Sequence, residues 1–188
     1  LIYPMRSTSE ELPYNNHNLW LIDEKMAYCS YISSDIAFNN STNQERTDIL
    51  ILDRPVAVSD EENRGREYEC ITIFELKRPM RDDYNGSTNP IDQLYGYVTK
   101  LKTNQVRDKD GRIIRVGANT KFYLYAVCDI TRSLEQILDF RDFSQTPDKM
   151  GYYLYNGKLN SYIEVLSYDK IISDAQKRNQ ILFDKLGI

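Results

Sequence analysis

Two apolar runs each carry an acid. Thr47-Asp48-Ile49-Leu50-Ile51-Leu52 holds Asp48, and Ile71-Thr72-Ile73-Phe74-Glu75-Leu76-Lys77 holds Glu75 with a lysine two residues on. Side chains alternate faces along a strand, so Glu75 and Lys77 project from one side while Phe74 and Leu76 go to the other. Acids on otherwise apolar strands are costly to desolvate unless a cation or a substrate compensates them. Hard oxygen donors of this kind suit Mg²⁺ or Mn²⁺, and a lysine beside them can hold a phosphate or an attacking water. The plainer alternative is a structural salt bridge between Glu75 and Lys77.

A third group follows sixteen residues past Lys77. Gln93 and Tyr97 are four apart in Gln93-Leu94-Tyr95-Gly96-Tyr97 and share one face of a helix. Gly96 inside that helix costs about 1 kcal/mol relative to Ala, which suggests that something approaches closely there.

In this order, Asp48, Glu75-Leu76-Lys77 and Gln93-x-x-x-Tyr97 resemble the PD-(D/E)XK nuclease superfamily. Thr47 stands where the family usually has proline. The resemblance covers roughly residues 20–130. It implies an α/β, restriction-endonuclease-like sandwich with a central mixed β-sheet flanked by helices. It also implies a metal-dependent deoxyribonuclease, at work in restriction, phage defence or DNA repair. By this likeness Asp48, Glu75 and the Leu76 carbonyl would coordinate Mg²⁺ or Mn²⁺. Glu24 is the candidate for the glutamate on the family's first helix, with Glu10 and Glu11 as alternatives. Lys77 would orient the attacking water or stabilise the charge that develops on phosphorus. Gln93 and Tyr97 would position the DNA backbone. Arg78, Arg81 and Lys100 lie close enough in sequence to contact phosphates, although Arg78 and Arg81 read equally well as solvated loop charges.

The elements that must position these residues follow from local pattern. Strands are expected at 47–53 and 69–77, antiparallel to each other, with Pro79 ending the second. Asn89 as N-cap and Pro90 at the first helical position predict a helix through Leu101. Asp108-Lys109-Asp110-Gly111 signals a turn, and the run 121–129 reads as a central strand buried on both faces. A helix at 131–141 comes next, then a hairpin of 152–155 and 161–166 around Asn156-Gly157, then a last helix at 168–186 ending at Gly187. Upstream, residues 1–16 read as an irregular lead-in. Positions 22, 26 and 29 place a helical face within 18–34, although 19–22 also fits a short buried segment. The charged stretch 54–68 reads as a hairpin excursion, and 82–89 as a mobile loop close to the site.

Composition bounds the rest. The 188 residues suffice for one domain, and the absence of an initiator Met suggests a piece excised from a longer protein. No apolar run reaches the roughly 20 residues of a membrane span. Cys29, Cys70 and Cys128 are odd in number and widely spaced, which reads as buried thiols in a reducing cytoplasm. The single His17 argues against zinc or a His-based triad. A formal net charge of −4 argues against indiscriminate nucleic-acid binding but not against a nuclease with local basic contacts. No Gly-rich phosphate loop is present, which disfavours a P-loop ATPase. The runner-up is a non-catalytic module of the nuclease fold that binds protein, nucleic acid, other domains of the parent protein or a second copy as a homodimer. Fifteen tyrosines, many in strand-like segments, are read as sheet and core packing, with a single-strand stacking platform as the alternative.

Overall fold

The two acid-bearing runs become adjacent antiparallel strands at the centre of the molecule. In a computed structural model of the protein the described residues are 2–12, 16–23, 26, 29, 31–35, 47–53, 67–103, 106–108 and 111–187. They form β1 (Ser7–Thr8), β2 (Tyr31–Ser34), β3 (Ile49–Asp53), β4 (Tyr68–Leu76), α1 (Pro90–Lys102), β5 (Val116–Val127), α2 (Arg132–Phe140), β6 (Ser144–Gln145), β7 (Gly151–Asn156), β8 (Ser161–Leu166) and α3 (Tyr168–Leu186). The strands make one sheet in the order β1-β2-β3-β4-β5-β8-β7-β6. Its centre, β4-β5-β8, is parallel, and both flanks are antiparallel. The chain is therefore an α/β fold with a large mixed sheet.

Helices cover both faces of that sheet. On one, α1 and α2 bury Ile91, Leu94, Val98, Leu101, Leu134 and Leu138 against Leu50, Leu52, Ile71, Ile73, Phe122, Leu124, Ile163 and Val165. On the other, Ile32, Ile49, Ile51, Phe74, Val127 and Leu166 meet Leu19 and Ile171, the latter from α3. The period-2 alternation of β3 and β4 sorts their side chains between these two cores. It sends Asp48 and Glu75 to the α1 side.

Capping fixes α1 as expected. The Asn89 side chain accepts from the Asp92 N–H at 2.9 Å, and Pro90 fills the first helical position. Arg141, just past α2, then grips Asp92 with two hydrogen bonds of 2.6 and 2.9 Å and ties the helices together. The last helix ends at Gly187, whose φ of 71° needs the left-handed region that glycine occupies freely. The Asp108–Gly111 turn closes with a 3.0 Å bond from the Gly111 N–H to the Asp108 carbonyl.

Several expectations change. The described residues of 18–34 do not make one helix: Leu19–Leu21 is a 3-10 turn around a fully buried Leu19, which fits the short buried segment at 19–22, and Tyr31–Ser34 pairs with Ile49–Leu52. Sheet pairing satisfies the backbone of 31–34 and seats Ile32 in the core. The lead-in contributes β1, paired to β2. Strand β5 is buried on both faces only at its carboxyl end; before that Lys121 and Tyr123 are exposed. Tyr123, Tyr153 and Tyr155 are 36%, 39% and 63% exposed on one part of the sheet that helices leave open, so core packing does not account for them.

The 82–89 segment is pinned. Ser133 N–H donates to Asp82 at 2.9 Å, Tyr84 N–H donates to the Ser133 hydroxyl at 3.3 Å, and the Tyr84 ring is buried. A Cβ built on Gly96 meets nothing within 4 Å, so no described residue approaches closely there. Cys128 is buried, whereas Cys29 and Cys70 are half-buried, and none of the three is in a disulfide among the described residues. Residues 54–66, most of the charged excursion, lie outside the described residues. No helix among the described residues is long and apolar enough to cross a membrane.

Candidate functional site

The site forms where β4 has an antiparallel neighbour on one side and a parallel one on the other. Ile49 pairs with Phe74, so the register continued by one residue sets Asp48 opposite Glu75. On the other flank Glu75 pairs with Ala126 of β5, and the Lys77 N–H donates to the Val127 carbonyl at 2.9 Å. Ligand sites in open α/β sheets lie beyond the carboxyl ends of parallel strands, and Glu75 and Lys77 stand at such an end.

Glu75 is buried, and its Oε1 is ion-paired to Lys77 Nζ. Its Oε2 is also buried and finds no hydrogen-bond partner among the described residues, although the Tyr97 hydroxyl lies close enough to the carboxylate to act on it. Such an orphaned acceptor is costly in a folded protein and asks for a reason. Burial, and after it the Asp48 charge, push the Glu75 pKa up; Lys77 and the Tyr97 hydroxyl pull against that rise. Asp48 accepts the Leu76 N–H at 2.5 Å. Its pKa also rises, from burial first, while the Leu76 bond and Lys77 oppose the shift and Asp35 adds to it. The Asp48 charge is thus felt at Glu75 across the strand pair.

Tyr97 reaches this cluster from α1. Its side chain is buried, and desolvation together with the Glu75 and Asp48 charges raises its pKa. Gln93, one turn earlier, is exposed and makes no side-chain hydrogen bond to Asp48, Glu75 or Lys77. Of the expected pair, then, only Tyr97 joins the acids. Lys100 is half-buried, three residues and about 4.5 Å further along the helix axis. Arg78 is exposed directly after Lys77. Leu76 lends its N–H to Asp48 and its side chain to the opposite core. Glu24 lies outside the described residues.

Two residues at the site were not singled out from sequence. The Tyr168 hydroxyl, in the first turn of α3, donates to the Lys77 carbonyl at 2.5 Å. Asp129, past β5, accepts the Met80 N–H at 2.6 Å. Neither stands in a spacing motif with Glu75, and Tyr168 is one tyrosine of fifteen.

Among the described residues no three His, Cys, Asp or Glu side chains form a metal-binding cluster. Two carboxylates nonetheless fit a hard cation that keeps most of its water, as Mg²⁺ does when one or two carboxylates and a phosphate hold it. The unpartnered Oε2 of Glu75 supplies the donor that such a cation needs. In comparisons with known proteins the chain matches no family model, no curated protein and no solved structure.

Proposed function

We propose that the chain is a metal-dependent phosphodiesterase, a deoxyribonuclease domain of the PD-(D/E)XK type on a restriction-endonuclease-like sheet. The observation that carries this reading is the Glu75 carboxylate, which is buried, shared with Lys77 through one oxygen, faced by Asp48 and left with the other oxygen unpartnered. Asp48 and Glu75 would hold Mg²⁺ or Mn²⁺, with the Leu76 carbonyl and Glu24 as further donors. Bound there, the cation would polarise a phosphate and make its water more acidic.

The chain's own residues do the remaining work. Lys77, ion-paired to Glu75, stands where it can hold the attacking water or the negative charge that grows on the phosphate oxygens. Tyr97 orients Glu75 from the helix side. Gln93, exposed one turn away, together with Arg78 and Lys100, meets the backbone of the substrate. These are salt-sensitive contacts on a chain of net charge −4, so affinity for DNA stays local to this edge.

The test is cleavage of linear, circular and single-stranded DNA with Mg²⁺, Mn²⁺ or EDTA, beside Glu75→Gln and Lys77→Ala. Metal-dependent cleavage that both variants lose by at least about 100-fold is the expected result. Absence of cleavage, together with absence of Mn²⁺ binding by calorimetry, overturns it. One observation favours a second reading: the cation already neutralising Glu75 is the chain's own Lys77, as in a non-catalytic module that keeps the fold for binding.

A further inference from the structure

Directly after Lys77 the chain makes a short exposed lip whose backbone is fixed and whose tip is apolar. Met80 has a φ of 57°, in the left-handed region that a side chain such as methionine rarely adopts and that costs on the order of 1 kcal/mol. The neighbours hold it there. Asp129 accepts the Met80 N–H, and the Thr131 hydroxyl donates to the Arg81 carbonyl at 3.0 Å. Upstream, the Tyr168 hydroxyl holds the Lys77 carbonyl. With its backbone anchored at three points, the segment still leaves the Met80 side chain 79% exposed.

Folding gives no reason for this arrangement. An exposed methionine buries nothing, and glycine or asparagine would take the same backbone at less cost. The charges around it are unequal in their engagement. Asp83 holds Arg81 Nε at 2.6 Å, and Asp82 accepts the Ser133 N–H, whereas Arg78 makes no ion pair among the described residues. Arg78, felt by Asp83 only through its charge, and one polarisable apolar tip thus stand within three residues of Lys77.

The geometry points to this lip as a contact for duplex DNA, in which Arg78 meets a phosphate and Met80 presses as a wedge against the sugar or between base steps beside the scissile bond. The inference rests on the nuclease reading and extends it to the form of the substrate. Methionine is among the side chains that proteins insert between base steps, and an anchored backbone lets such a wedge act without first being ordered.

The experiment measures binding of a fluorescein-labelled DNA duplex by anisotropy, with Ca²⁺ in place of Mg²⁺ to prevent turnover. The proteins are the wild-type chain, Met80→Asn, Met80→Leu and Arg78→Ala. Asparagine tolerates the left-handed backbone, so Met80→Asn is expected to melt at the wild-type temperature or above while binding roughly tenfold more weakly. Met80→Leu keeps an apolar tip and should restore most of the affinity. Arg78→Ala should lower the salt dependence of log Kd by about one phosphate contact. Unchanged affinity in Met80→Asn, with wild-type binding and cleavage intact, overturns the wedge and leaves the nuclease reading standing. A wild-type chain that cleaves single strands but neither binds nor cleaves duplex DNA overturns the lip alone, and one that binds and cleaves no DNA of either form overturns both.

Discussion

The hydroxyl of Tyr168 and the orphaned oxygen of Glu75 stand on either side of Lys77, and together they define what single atoms do in this site. Lys77 lies past the end of β4, where ladder hydrogen bonds stop. Its N–H is still held by Val127, but its carbonyl depends on Tyr168. Removing that hydroxyl removes one part-buried hydrogen bond, about 1 kcal/mol of stability. For a positioning residue the kinetic effect exceeds the structural one, because small displacements of a reacting group are costly. Tyr168→Phe is therefore expected to lower kcat roughly tenfold with KM within about twofold of wild type. A variant that loses stability by urea denaturation but keeps kcat would show Tyr168 to be a packing residue only.

Among the elements, α1 matters most, because it places Tyr97 over the acids and is set in turn by Asn89, Asp92 and Arg141. The Arg141 hydrogen bonds, and secondarily Asn89, hold the Asp92 pKa below the usual carboxylate value. A depressed pKa contributes stability that is complete above the unfolded value of about 3.9 and is lost as pH falls through the folded one. Asp92→Asn should thus destabilise the chain by about 1 kcal/mol at neutral pH, a modest figure because the pair is part-exposed. That difference from wild type should shrink once pH falls below about 3.9, as urea midpoints of both proteins at pH 7 and in acid would show. A difference independent of pH would mean that the ion pair plays no part.

The same element shows what local sequence could reveal. Asn89-Pro90, the apolar runs at 49–52 and 71–74, and Gly187 at the end of α3 act through neighbours in the chain, so their structures are legible from spacing. Strand β2 was not, because its partner β3 lies beyond a stretch that local periodicity does not bridge. Asp48, Glu75, Lys77 and Tyr97 were legible as a group through their alternation and order. Tyr168 and Asp129 act through carbonyl and amide contacts made only by the folded chain, and Gln93 shares Tyr97's helical spacing without sharing its burial.

For the molecule as a whole, the central fact is that a chain of net charge −4 gathers two partly desolvated carboxylates at the carboxyl edge of its parallel strands. On the nuclease reading, Asp48 and Glu75 oppose the phosphate that Arg78 and Lys100 attract until a cation offsets them, so metal should bind before nucleic acid. A ligand bound to the folded chain alone stabilises it by about 2.7 kcal/mol at one hundred times its Kd. For a protein of this size that corresponds to a rise in Tm of roughly 5–10 °C. Mn²⁺ in that excess should therefore raise the melting temperature of the wild-type chain. It should leave Glu75→Gln unmoved, because the amide keeps the shape but lacks the charge, and it should also raise the affinity for DNA relative to EDTA. Equal shifts in the two proteins would place the cation elsewhere on the surface. No shift in either would remove the cation from the site, and with it the reason for holding these acids opposite each other at the end of β4.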